Sequence, residues 1–174
     1  MAAGNASSSA GANAAERGLV ITRLFHAPRE MVFAAWTQAE HFERWWGPKG
    51  CTTPFCVLDV RPGGAYRYCM SVPDGHDVWV KGMYREVVEP ERLVFTSTFT
   101  DADGSPVEPA HYGLSDGFLR EVVTTVTFTE RDDGTELTIH QLLGSPSSED
   151  RANTAQGWGE SLERLAELVA EVAL

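Results

Sequence analysis

The run Trp45-Trp46-Gly47-Pro48 brings together the side chains best suited to binding an apolar molecule. An indole ring combines a large apolar surface with one N–H donor, so it suits recognition of an aromatic or lipid-like ligand. One interpretation places Trp45 or Trp46 at the mouth of a cavity. The other has both rings packing short helices onto the rest of the protein. The sequence leaves both interpretations open.

A second group of candidate binding residues lies on predicted β-strands. Tyr66, Tyr68 and Met70 alternate along one segment and therefore share a face, with Arg67 on the other face. Ligand pockets are mostly apolar with a few polar groups that fix orientation, although the same residues also suit an ordinary core. Neighbouring predicted strands add apolar and polar candidates: Phe95, Ser97, Thr124, Val126, Phe128 and Gln141.

The remaining candidates are Trp79, Trp158 and Leu162. Trp158 begins the apolar face of the last predicted helix, as cavity wall or as core, and Leu162 follows one turn later. Gly157 allows close approach of the helix backbone to its neighbours. Trp79 lies on a predicted strand whose inward face stays undefined, because a one-residue shift in register exchanges the two faces.

Side-chain patterns typical of catalysis are missing from the sequence. None of the five His residues lies three or four positions from another, so no helical metal site is predicted. The Gly-x-Ser-x-Gly signature of a nucleophile elbow is absent, and Gly63-Gly64 indicates a hairpin turn rather than a phosphate loop. Asp59 and Glu86 lie in predicted strands, where solvent-facing or Arg-paired positions are favoured. We expect no catalytic residue, metal or cofactor.

Composition and charge narrow the class of protein. The 174 residues carry 14 Lys and Arg against 25 Asp and Glu, a net charge of −11, which argues against nucleic acid and anionic membranes as partners. No apolar run approaches the roughly 20 residues that span a bilayer. Three Cys and no secretory signal favour reduced thiols in the cytoplasm. We expect a disordered tail at 1–17 and one domain at 18–174.

The last segment, 147–174, predicts a helix of about six turns. Ser147 or Ser148 can cap its start, and Glu160 can pair with Arg164 one turn later. Its apolar residues recur at helical spacing and form one stripe: Trp158, Leu162, Leu165, Val169 and Val172. This stripe must be buried against another part of the chain.

The elements before this helix are mainly β. One strand, two short helices within 28–46 and then six strands follow from the apolar pattern and from the turn signals. A long loop at 101–117 interrupts the strands. Half-buried antiparallel strands need a cover for their apolar face, and the last helix is the long element available. A helix laid on a curved sheet encloses a space, where we expect the site.

Six motifs in this order resemble the helix-grip superfamily (START-like, Bet v 1-like, SRPBCC), and within it the branch homologous to the activator of Hsp90 ATPase. They are FHAPREMVF at 25–33, HFERWWGP at 41–48, DVRPGG at 59–64, EPERLVFT at 89–96, GTELT at 134–138 and GWGESLERL at 157–165. The resemblance covers about 19–174. It implies an α+β fold, in which a curved antiparallel sheet of six or seven strands surrounds a long C-terminal helix.

The resemblance also implies a hydrophobic cavity between sheet and helix. We expect it to bind an apolar small molecule, such as a lipid, a flavonoid-like aromatic or a polyketide. A cyclase or hydrolase using the same cavity is one alternative, and it needs an acid–base pair inside. A chaperone-regulating module is another, and it needs an exposed docking patch. A homodimer is compatible with either.

Overall fold

The computed structural model describes residues 18–172 of the chain. The predicted tail at 1–17 and the last two residues lie outside the described residues. The elements, in chain order, are β1 (Gly18–Phe25), α1 (Arg29–Thr37), α2 (Ala39–Trp45), β2 (Thr52–Leu58), β3 (Ala65–Ser71), β4 (Asp77–Val88), β5 (Arg92–Thr100), a 3-10 turn (Pro109–Tyr112), β6 (Phe118–Arg131), β7 (Gly134–Gly144) and α3 (Ser148–Val172).

One curved antiparallel sheet holds all seven strands, in the order β1-β7-β6-β5-β4-β3-β2. Strands β2 to β7 pair with their sequence neighbours, and β1 pairs with β7. The two short helices connect β1 to β2 at opposite edges of the sheet. The expected α+β helix-grip fold is therefore confirmed.

Alternation along the strands separates an inner apolar face from an outer face. Tyr66 and Tyr68 of β3 are buried on the inner face, as predicted. On β4 the inner residues include Val80, so Trp79 points outward. There the Arg67 guanidinium lies 4.5 Å from the centroid of the Trp79 ring. The register of β4, undefined in the sequence, therefore removes Trp79 from the inner face.

Gly82 lets the Tyr66 ring lie across the middle of the sheet. Tyr66 pairs with Gly82 in the ladder between β3 and β4. A Cβ at position 82 would lie 1.8 Å from the Thr96 carbonyl oxygen and 2.5 Å from the Tyr66 ring. A strand glycine here marks a close approach, and it allows the Tyr66 hydroxyl to reach β5.

The buried face of α3 follows the predicted stripe, with one exception. Ser147 caps the helix, since its Oγ accepts a hydrogen bond of 3.1 Å from the Asp150 backbone N–H. Val172, expected in the stripe, is instead 45% exposed. The buried residues are Trp158, Ser161, Leu162, Leu165, Leu168 and Val169. Within 18–172, no helix combines the length and hydropathy needed to cross a membrane.

The helices α1 and α2 close one end of the space between sheet and α3. Pro28, at the start of the helical region predicted within 28–46, instead precedes α1, and its carbonyl accepts from the Met31 and Val32 N–H groups. The apolar face of α1 buries Phe33 and Trp36. Helix α2 ends before Gly47, whose φ of +97° reverses the chain direction.

Candidate ligand-binding cavity

A cavity of about 260 Å³ lies between the inner face of the sheet and the first half of α3. Apolar and aromatic side chains make up most of its wall. The sheet contributes Tyr68, Met70, Val78, Val80, Phe95, Ser97, Phe99, Val122 and Gln141. Helix α3 contributes Thr154, Gly157, Trp158 and Ser161. Residues 46–48 form one end of the cavity, and Leu114 with 118–120 forms the other end.

The end formed by 46–48 is an aromatic cluster. The Trp46 and Trp158 rings meet edge to face, with centroids 5.4 Å apart. Trp158 also stacks on Trp36 at 6.0 Å, and Trp46 stacks on Phe42 at 4.5 Å. Each indole at the cavity wall is therefore held by a second ring behind it, which fixes its orientation.

Arg164 fixes the position of 46–48 relative to α3. Its guanidinium donates hydrogen bonds of 3.1, 2.8 and 3.2 Å to the carbonyls of Trp46, Gly47 and Pro48. A fourth, of 3.1 Å, goes to the Arg44 carbonyl in the last turn of α2. Carbonyls at a helix C-terminus lack intrahelical donors and favour a cation. Arg164 therefore serves this loop in place of the predicted pairing with Glu160.

The opposite end of the cavity is formed where β6 begins. The register between β6 and β7 shifts between Phe118 and Val123, so the strand bulges there. This bulge turns 118–120 toward the cavity, where strict alternation would not place three consecutive residues. Arg120 lies at the rim and pairs with Glu108 at 3.0 Å, with most of its side chain exposed.

Hydrogen bonds of Ser115 with Asp150 and Ser147 connect this end of the cavity to the start of α3. The Asp150 carboxylate accepts a hydrogen bond of 2.6 Å from the Ser115 backbone N–H. The Ser115 hydroxyl accepts one of 2.9 Å from the Ser147 N–H. Hydrogen bonds from the Ser115 side chain and from its backbone N–H lower the pKa of Asp150 from its ordinary value of 3.8.

Two polar groups on the sheet side have fixed hydrogen-bond partners. Gln141 Oε1 accepts from Trp158 Nε1 at 3.1 Å, and Gln141 Nε2 donates to Thr124 Oγ1 at 3.1 Å. The indole can only donate, so the orientation of the Gln141 amide is fixed. On β5, Ser97 Oγ lies 2.6 Å from the Tyr66 hydroxyl. Burial raises the pKa of Tyr66 well above its ordinary value, so the phenol keeps its proton.

The structure brings only part of the predicted set to the cavity wall. The predicted residues that line it are Trp46, Tyr68, Met70, Phe95, Ser97, Gln141 and Trp158. Trp45 instead lies fully buried under α1, where its indole N–H donates to the Ala35 carbonyl at 2.8 Å. Tyr66 lines a much smaller void of about 20 Å³, and Trp79 lies on the outer face.

The other predicted residues belong to the core around the cavity. Thr124 and Val126 have no exposed surface, and Phe128 and Leu162 are each 1% exposed. Phe128 packs edge to face on Phe33 at 5.2 Å, beneath α1. All four lie on the predicted inner faces. They fill the space between the sheet and the helices near α1 or beneath α3, and the cavity occupies the rest of that space.

Sequence reasoning missed the wall residues outside the regular elements. Residues 118–120 precede the alternating part of β6, and Leu114 belongs to the long loop. The apolar pair Phe118-Leu119 after that loop was the available signal. Pro48, from the aromatic run, and Gly157, predicted to allow close approach, both line the cavity.

The chemical character of the wall is apolar, with hydroxyls, one amide and one guanidinium. Among the described residues that line it, none is His, Asp, Glu or Cys. Asp59 and Glu86, expected at solvent-facing or Arg-paired positions, pair with Arg61 at 2.9 Å and with Arg92 at 3.2 Å on the surface. Within 18–172, no group of three or more His, Cys, Asp or Glu is placed to hold a metal ion.

Comparison with solved structures shows the same fold in several bacterial proteins. One from Nitrosomonas europaea is 24% identical, with a TM-score of 0.75 over 91% of this chain and 97% of that one. One from Chromobacterium violaceum is 29% identical, with a TM-score of 0.73 over 88% and 96%. The AHSA1 protein from Silicibacter pomeroyi is 24% identical, with a TM-score of 0.69 over 90% and 97%.

No curated protein matches this chain. The family model for the activator of Hsp90 ATPase homolog 1-like proteins matches residues 26–170. That match spans both short helices, the strands β2 to β7 and nearly all of α3. It includes all the residues that wall the cavity. The chain therefore belongs to the family of activator of Hsp90 ATPase homolog 1-like proteins.

Proposed function

We propose that this protein binds a small apolar molecule, aromatic or acyl in character, in the cavity between the sheet and α3. The observation that carries the proposal is the cavity itself, about 260 Å³ of space with a mainly apolar wall. Native interiors are close-packed, with few voids larger than a water molecule. A space of this size beside stacked indoles is therefore better explained by a ligand than by imperfect packing.

The volume limits the size of the ligand. Pockets for drug-sized molecules have volumes of about 300–1,000 Å³, so a cavity of about 260 Å³ suits one or two rings or a short acyl chain. Burial of ligand surface contributes roughly 25 cal/mol per Å² of apolar area. Affinity therefore depends on how well the ligand fills the wall, and the few polar groups set its orientation.

The side chains that line the cavity favour a binding function over the cyclase or hydrolase alternative. General acid–base catalysis needs a titratable group near the reacting atoms. The titratable side chains among the described wall residues are Tyr68 and Arg120. Burial raises the pKa of Tyr68 above its ordinary value, which makes it a poor base near neutral pH. Arg120 is a permanent cation.

The test is a ligand screen read by intrinsic fluorescence and thermal shift. The library contains fatty acids, flavonoids and polyketide-like phenols, and native mass spectrometry of freshly purified protein searches for a retained molecule. Trp46 and Trp158 lie on the wall, so an occupant displaces water from their faces and changes their emission. A ligand at a hundred times its dissociation constant stabilises the fold by about 2.7 kcal/mol.

A matched pair of variants assigns binding to this cavity. Val78→Phe extends a ring from the wall into the space and should abolish binding. Val57→Phe adds the same ring at a position that is 54% exposed, and binding should persist. Failure of every library member to shift either signal would contradict the proposal and favour the chaperone-regulating alternative. Retention of binding in Val78→Phe would place the ligand elsewhere.

A further inference from the structure

The direction of the hydrogen bond between Tyr66 and Ser97 can be deduced. The Tyr66 hydroxyl lies 2.5 Å from the Thr96 carbonyl oxygen and 2.6 Å from Ser97 Oγ. A carbonyl only accepts, so the single Tyr66 hydrogen goes to Thr96. Two hydroxyl oxygens at 2.6 Å need a hydrogen between them, and Ser97 must supply it. Ser97 therefore offers only lone pairs to the cavity.

The hydroxyls on the helix side are arranged in the same way. Thr154 donates to the Asp150 carbonyl at 2.7 Å, and Ser161 donates to the Gly157 carbonyl at 2.8 Å. Each hydrogen is thus directed back to the helix, one turn earlier. Ser97, Thr154 and Ser161 line the cavity from opposite sides, and all of them can only accept a hydrogen bond from a ligand.

The other polar wall groups do not reverse this bias. Gln141 binds Trp158 with its oxygen and Thr124 with its nitrogen. Arg120 is engaged by Glu108 at the rim. The Tyr68 hydroxyl oxygen accepts a hydrogen bond from the Trp46 indole, which can only donate, so the Tyr68 hydrogen stays available to a ligand oxygen. Apart from Arg120 at the rim, the wall therefore has three hydroxyls that can only accept and one, Tyr68, that can donate. An occupant with no donor leaves those three acceptors unpaired in a largely apolar space.

Resting on the proposed function, we propose that the cavity selects an apolar aromatic molecule that carries an O–H or N–H donor, of which a phenol is the simplest, and that Ser97 Oγ accepts its hydrogen. An ether or ketone of the same shape brings a lone pair against the lone pairs of Ser97. A site that hydrogen-bonds a ligand donor rejects the analogue lacking it, because its own polar group is left unpaired. Ser97 is a specificity-determining residue in this arrangement.

The experiment compares three two-ring probes of similar shape by equilibrium dialysis: 2-naphthol, 2-methoxynaphthalene and 2-methylnaphthalene. We expect 2-naphthol to bind about five- to tenfold more tightly than the other two, since one neutral hydrogen bond separates them. In Ser97→Ala the three affinities should converge to within about twofold. Thr98→Ala, on the next residue of β5 and the other face, should keep the preference.

Tyr66→Phe provides a second variant that tests the direction of the bond. It removes the acceptor of the Ser97 hydrogen, so Ser97 becomes free to donate. The affinity for 2-methoxynaphthalene should then rise toward that for 2-naphthol, in protein whose thermal unfolding remains cooperative. An unchanged ratio of the two affinities would overturn the assigned direction of the bond between Ser97 and Tyr66.

The possible failures are distinguishable. Equal binding of all three probes to the unmodified protein overturns the donor inference and leaves the proposed cavity binding in place. A preference for 2-naphthol that persists in Ser97→Ala overturns the assignment to Ser97. If none of the probes binds, 2-methylnaphthalene included, the inference and the proposed function both lose their support for ligands of this size.

Discussion

Gly157 of α3 faces Pro48 across the edge of the cavity, and a Cβ added at position 157 would lie 3.5 Å from Pro48 Cγ. That is an ordinary van der Waals distance, so alanine fits here without strain. Gly157 also lines the cavity. A single methyl group at this position therefore narrows the space without disturbing the helix.

Gly157→Ala should stabilise the free protein and weaken ligand binding. Alanine is favoured over glycine in a helix interior by about 0.8–1 kcal/mol. Gly159→Ala is the matched control, because a Cβ there meets no atom within 4 Å and Gly159 does not line the cavity. The melting temperature should rise in both variants. The affinity of a ligand found in the screen should fall only in Gly157→Ala. Equal affinities in the two would place the ligand away from α3.

Leu165→Ala should destabilise the fold strongly. Leu165 has no exposed surface, and large-to-small changes in a core destabilise by about 2–5 kcal/mol. Glu163 lies on the exposed face and pairs with Lys49 at 3.3 Å. Glu163→Ala should change stability by less than about 0.5 kcal/mol. Chemical denaturation measures both, and similar midpoints would contradict the assigned faces of α3.

Arg164→Leu should loosen the end of the cavity formed by 46–48. The variant removes the donors to the carbonyls of Arg44, Trp46, Gly47 and Pro48. Hydrogen bonds that involve a charged group contribute about 1.5–3 kcal/mol. We expect a loss in that range by chemical denaturation, together with altered emission from the Trp46 region.

Two controls separate these effects of Arg164 from charge alone. Arg164→Lys keeps the charge but loses the planar fork, and it should recover only part of the stability. Arg44→Ala removes an exposed pair with Glu171 and should cost under about 1 kcal/mol. Full recovery by lysine would show that the guanidinium geometry is unimportant.

The stabilising contact between Ser115 and Asp150 of α3 should weaken in acid. The pKa of Asp150 in the folded protein lies below its ordinary value of 3.8, so the unfolded chain takes up a proton first as the pH falls. The contribution of Asp150 is therefore complete above about pH 4–5 and is lost as the pH falls through the folded-state value. The difference in melting temperature between the unmodified protein and Asp150→Asn should shrink across that range. A difference independent of pH would contradict the assignment.

The local sequence determined the elements and which face of each is apolar. The alternation of Tyr66 and Tyr68 and the spacing of Trp158, Leu162 and Leu165 correctly predicted the inner surfaces. These patterns work because the side-chain period of a strand or a helix is fixed by its backbone. The order of elements and motifs was enough to identify the family and the fold.

Only the tertiary structure decided which inner residues line the cavity and which fill the core. Thr124 and Ser97 lie on inner faces of adjacent strands, yet only Ser97 reaches the cavity. The difference depends on where α1, α3 and the bulge at the start of β6 lie over the sheet, and on the register that turns Trp79 outward. These arrangements come from contacts between residues far apart in the chain, and no local period encodes them. Burial on an inner face is therefore a property of the sequence pattern, whereas access to the cavity is a property of the assembled fold.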